Sequence, residues 1–133
     1  AEDFGVQNSL SFRGFIPHDE IPKLLTQYDI GLSPIPPLNS YRVASATKVY
    51  EYLAMNMVTL VSNIECNTQI VKHGFNGIVY EPEDPKDFAD NLERIINDIY
   101  LRETVKKNAR ESVKKFDWTR LLNNLEERIN DIL

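Results

Sequence analysis

The feature that most constrains this chain is an alternation of short β-rich runs with longer stretches of helical period. Parallel strands need a crossover and a helix is its usual form, so the alternation predicts an α/β fold built on a parallel sheet. Leu10-Ser11-Phe12 reads as a strand entering the loop Gly14-Phe15-Ile16-Pro17. Asp19 is placed to cap a helix whose residues Ile21, Leu24, Leu25 and Tyr28 follow i, i+3, i+4, i+7. Ile30-Gly31-Leu32-Ser33 is the next strand, and the Pro-rich stretch 34–42 behind it excludes regular helix or central strand. Ser45 or Thr47 is expected to cap a helix that runs through Ala54, ahead of a buried strand Val58-Thr59-Leu60-Val61.

The second half repeats the pattern. Asn67 to Val71 is expected to form a short helix closed by Gly74, and Ile78-Val79-Tyr80 a strand. Asp84-Pro85 opens a helix with Phe88, Leu92, Ile95, Ile96 and Ile99 as a core-facing stripe. Val105, Ala109, Val113 and Phe116 mark another helix. After a break at Phe116-Asp117-Trp118, a last one carries Leu121, Leu122, Leu125, Ile129 and Ile132. The first residues resemble the tail of a helix ending near Gly5, so the expected sheet lacks its first βα unit and the chain reads as a piece of a longer protein.

With 133 residues, 42% of them hydrophobic, the chain holds one core and not two. A net charge of -5 argues against a broad phosphate-tracking surface, so no nucleic-acid partner is expected, though a local positive pocket stays compatible with it. The uncharged apolar stretch 52–64 is thirteen residues long, short of the roughly 20 that a spanning helix needs. The acidic start Ala1-Glu2-Asp3-Phe4 is unlike a secretory leader. Cys66 is alone, which excludes a disulfide framework and a cysteine metal site, and the location expected is cytoplasmic.

His18, His73 and Cys66 lie too far apart to suggest a catalytic triad or a Cys-His pair, and the dinucleotide fingerprint and P-loop are absent. Both histidines read as ordinary solvent-facing side chains. The informative segment is 43–54, where small residues, hydroxyls and a lysine meet the start of a helix. Backbone amides near Ser45, Ala46 and Thr47 are placed to meet a diphosphate, with Lys48 adding a point charge. Glu51, one turn on, is placed to accept two hydrogen bonds from a ribose diol. The structural alternative is a capped helix start with a Lys48–Glu51 surface pair.

Taken in order, Gly14-Phe15-Ile16-Pro17-His18-Asp19-Glu20-Ile21, Tyr28-Asp29-Ile30-Gly31-Leu32-Ser33-Pro34, Lys48-Val49-Tyr50-Glu51-Tyr52-Leu53-Ala54, the strand at 58–62 and Gly74-Phe75-Asn76-Gly77-Ile78-Val79 resemble the C-terminal half of retaining GT-B glycosyltransferases of family 4. The closing Phe116-Asp117-Trp118 and its amphipathic helix are similar to that family's end, whose last helix packs back toward the N-terminal domain. The resemblance implies a Rossmann-like domain holding a nucleoside-diphosphate sugar without a metal. It implies that Glu51 matches the second glutamate of the family's Glu-x7-Glu motif and binds the ribose. It further implies that Gly14, Phe15 and Ile16 meet the base with their backbone, and that Ser45, Ala46 and Thr47 approach the sugar and phosphates.

Departures from the family pattern are equally specific. The first glutamate of the motif falls at Val43, and the Gly-Lys-Pro that often follows the helix is Asn56-Met57-Val58. The expected partners are the donor, an acceptor that is a glycan, lipid or small molecule, and an N-terminal domain of the same protein that brings any peripheral membrane contact. Residues 117–133 are expected to dock on that domain, or to promote self-association without it, and an isolated half should not turn over. A noncatalytic scaffold is the competing expectation, slightly favoured by Val43. A phosphoacceptor receiver fits poorly, because no strand ends in a solitary Asp with a partner lysine.

Overall fold

The computed structural model describes residues 5–41 and 44–131. Three strands, β1 (Ile30–Ser33), β2 (Val58–Ser62) and β3 (Ile78–Tyr80), form a parallel sheet in the order β1-β2-β3. Ile30 pairs with Val58 and Leu60 with Ile78. The central strand β2 is buried along its whole length, as a strand between two covered faces must be.

Side chains alternate across that strand, so the core has two halves. Val61 meets α2 (Thr47–Ala54), α3 (Glu65–Thr68) and the end of α5 (Ile99–Val113) through Val49, Leu53, Cys66, Ala109 and Val113. Val58 and Leu60 face the other way, with Ile78 and Tyr80 of β3, Ile95 of α4 (Pro85–Asn97), and Leu101 and Val105 of α5. The expected α/β fold, a Rossmann-like parallel sheet with flanking helices, is therefore observed. No helix among the described residues is long and apolar enough to cross a membrane.

Several local expectations are corrected. Leu10 is extended, but 10–12 belongs to no strand, and Phe12 is 92% exposed. A β-rich triplet becomes a strand only where a neighbour completes its ladder, and none of the described residues does so. Asp19 caps nothing. It lies inside a 3-10 turn, His18–Glu20, and the helix behind it, α1 (Ile21–Leu25), ends before Tyr28.

Neither Ser45 nor Thr47 caps α2, because Ala46 occupies the cap position and no side chain bonds there. The short helix α3 begins at Glu65, two residues earlier than Asn67. The stripe through Ile96 and Ile99 is also broken, with both more than half exposed. Asp98 ends α4 and starts α5 by accepting from the Leu101 amide, which turns the chain before the pattern can continue.

Asp84 does cap α4, accepting from the Lys86 and Asp87 amides with Pro85 in the first turn. Asp117 does the same for α6 (Trp118–Asn130). That last helix buries no residue. Leu121, Leu122, Leu125 and Ile129 stay exposed, and Ile132 lies outside the described residues, as do Ala1 to Phe4 and Val43.

Candidate functional site

In parallel α/β sheets, ligands gather outside the carboxyl ends of the strands, where loops leave for the crossover helices. Here two of those ends are tied together by a buried polar knot. The Asn67 side chain donates from Nδ2 to the Ser62 carbonyl at 3.0 Å and to the Ser33 carbonyl at 3.2 Å, and its Oδ1 accepts from Ser33 Oγ at 3.1 Å. Ser62 Oγ donates to the Ile35 carbonyl at 2.7 Å, which pins the start of the Pro-rich loop. Every partner is satisfied, as burial demands.

That loop and the residues after β2 enclose a cleft of about 320 Å3, lined by Pro37, Leu38, Asn39, Tyr41, Ile64 and Glu65. The loop leads into α2 through a tight bend. Ala46, at φ -79 and ψ 70, lets the Thr47 amide donate to the Ser45 carbonyl at 3.0 Å, an inverse γ-turn. The Val49 amide donates to the Ala46 carbonyl at 2.8 Å.

The Thr47 amide, expected to be open, is thus occupied, while the Lys48 amide has no backbone acceptor among the described residues. Ser45, Thr47 and Lys48 are exposed and Ala46 is buried. The hydroxyls and the ammonium therefore face outward while Ala46 anchors the helix start in the core.

Glu51 lies one turn along α2, with a third of its side chain exposed. Its Oε1 is 4.0 Å from Nε2 of His18. This contact joins two segments far apart in sequence: the loop of Gly14, Phe15 and Ile16 delivers His18 to the helix of Glu51. Gly14 turns that loop with φ +66, a conformation that costs other L-residues energy. Phe15 is 92% exposed and Ile16 half-buried.

On the next residue, the Tyr52 ring lies against β1 at Gly31, where any Cβ would run into it. Burial, and then the neighbouring Glu51 carboxylate, push the Tyr52 phenol above its ordinary pKa.

The knot of Ser33, Ser62 and Asn67, the approach of His18 and the cleft residues Leu38, Tyr41 and Ile64 were not read from sequence. Only one signal pointed to the knot: β1 and β2 each end in serine, at the edge where such sheets hold ligands. A family model described as glycosyl transferases group 1 matches residues 1–112. The chain belongs to that family.

Among relatives of this group 1 chain, an uncharacterised glycosyltransferase of Methanocaldococcus jannaschii is 29% identical over 115 residues, 86% of the chain and 28% of the relative. A crystal structure of Anabaena HepE in complex with UDP and glucose matches 98% of the chain and 34% of HepE, with a TM-score of 0.82 at 20% identity. The C-terminal domain of a group 1 glycosyl transferase, LpcC from Francisella tularensis, matches 86% of the chain and 56% of that domain's chain, with a TM-score of 0.71 at 23% identity. At such identities the likeness shows the fold, a Rossmann-like unit shared with GT-B glycosyltransferases. The chain spans about a third or less of the curated relative and of HepE.

Proposed function

We propose that this chain is the C-terminal, donor-nucleotide half of a retaining GT-B glycosyltransferase of family 4, which moves a sugar from a nucleoside diphosphate to an acceptor without a metal. The observation that carries this reading is the 4.0 Å approach of His18 to Glu51. It brings the loop of Gly14, Phe15 and Ile16 to the helix of Glu51, the two segments to which the family resemblance assigns the base and the ribose. In this reading Glu51 accepts from the ribose hydroxyls, and Gly14, Phe15 and Ile16 border the base. Lys48, with its open amide and the Ser45 and Thr47 hydroxyls, meets the phosphates, and Ala46 holds that turn in place.

The match to a C-terminal domain supports the placement in the chain, and the UDP in HepE supports a nucleotide-sugar ligand. The acceptor, a glycan, lipid or small molecule, belongs to the proposed N-terminal domain, as does any peripheral membrane contact of this cytoplasmic protein. Separated from that domain, the half binds without turnover, because acceptor and donor are oriented only between the two.

Calorimetric titration of UDP, GDP and ADP into the chain and into Glu51→Ala tests the reading. One nucleotide should bind and lose about 1–3 kcal/mol in the variant, the worth of a hydrogen bond to a charged group. A folded chain that binds none favours a noncatalytic scaffold, the reading that Val43 in the place of the first motif glutamate supports.

A further inference from the structure

Away from α2, the turn before β3, the end of α5 and the start of α6 enclose a second cleft of about 340 Å3, and its lining includes Lys72, Lys114, Lys115 and Arg120. Glu111 is the one acidic residue in that lining, and it is paired with Lys114 at 2.6 Å. Among the described residues, Lys72, Lys115 and Arg120 have no acidic partner. Three uncompensated cations therefore converge on one cavity of a chain whose net charge is -5.

The floor of this cleft is rigid. Buried Asn76 accepts from the Lys72 amide at 2.7 Å and donates to Ser112 Oγ at 2.8 Å, locking the turn to α5. Half-exposed Phe75 and Phe116 add apolar walls, and Lys115 lies over the Phe116 ring, 4.9 Å from its centre. None of the residues proposed to hold the donor lines it.

We infer that this cleft is a second anion site, which binds a phosphate ester carrying at least two negative charges, with its organic part against the two phenylalanines. Clustered cations with low-dielectric walls focus potential on such a group, and two charges match three cations better than one carboxylate does. The ester is either a soluble metabolite or a phospholipid headgroup, and one assay separates these.

Trp118 is the only tryptophan and lies two residues from each of the cleft residues Phe116 and Arg120, so its fluorescence serves as the probe. Inorganic pyrophosphate, titrated at constant ionic strength, should change that emission saturably. Arg120→Glu and Lys72→Glu, both at exposed positions, should weaken the response by about tenfold or more, with circular dichroism unchanged. Phosphatidic acid vesicles, whose headgroup is a phosphomonoester, should be bound by the chain, with binding lost in Arg120→Glu, if the source is a headgroup; pyrophosphate alone should act if it is soluble. The inference is overturned if neither probe acts, if the emission tracks ionic strength alone, or if Lys48→Ala abolishes the response while Arg120→Glu keeps it, which puts the anion on α2.

Discussion

Asn56 stands where the resembling family often has glycine, and its backbone shows why the exchange is tolerated. It sits at φ +56 just past the end of α2, with its amide on the Leu53 carbonyl and the Met57 amide on the Tyr52 carbonyl, each at 3.0 Å. This is a Schellman closure, and asparagine is the non-glycine residue best suited to its left-handed position. Asn56→Gly should stabilise the chain by up to about 1 kcal/mol in urea denaturation, with no change in nucleotide affinity. Tyr52 supplies a pH test. Its phenol is raised above 10.0 in the fold, so the stabilisation is complete below that pH and is lost as pH rises through the folded value. Thermal stability should therefore fall above about pH 10, and Tyr52→Phe should flatten part of the fall. Cys66 and Tyr80, both raised by burial, and Lys86, raised chiefly by its hydrogen bond to Asp90, leave the remainder.

Elements whose cues are local were legible; those that depend on distant partners were not. Ile30–Ser33 and Ile78–Tyr80 match the expected strands, and Val58–Ser62 runs one residue further. An apolar β-branched run between turn residues has few other homes. The Asp84-Pro85 start of α4 was equally legible, because cap and first turn are contiguous. Leu10-Ser11-Phe12 carries the same strand cue and fails for want of a partner, and Asp98 breaks the helix without the Gly or Pro that usually warns of a break. Within the site, Ser45, Thr47, Lys48 and Glu51 were singled out from their place on one helix. The knot was not, because Asn67 reaches Ser33 across 34 residues. Its removal is the test at this scale. Asn67→Ala leaves the buried Ser33 hydroxyl without its acceptor and takes one donor from each of the Ser33 and Ser62 carbonyls, so it should cost about 1–3 kcal/mol. It should also make segment 34–41 more sensitive to limited proteolysis, since the Ser62 hydroxyl that holds the Ile35 carbonyl loses its Asn67 donor.

Across the whole molecule, burial is uneven, and stability should follow it. Both core halves are built on β2, with Val61 on one side and Val58 and Leu60 on the other, while α6 sends Leu121, Leu122, Leu125 and Ile129 outward. What ties α6 to the rest is its approach, through the edge-on contact of Phe116 with Tyr50 at 5.0 Å and the Asp117 cap. A helix of 13 residues gains little from propensity alone and depends on packing for persistence. The amides of α6 should thus exchange with solvent deuterium through local opening, orders of magnitude faster than those of β2, which need global unfolding. Truncations should divide the same way. Leu53→Ala, in the fully buried half-core under α2, should cost about 2–5 kcal/mol, whereas Leu121→Ala should stay within about 0.5 kcal/mol. Because stability and exchange are read separately, equal protection of α6 and β2, or a core-sized loss at Leu121, would mean that α6 already covers its apolar face within this chain. The exposed stripe would then need no further partner.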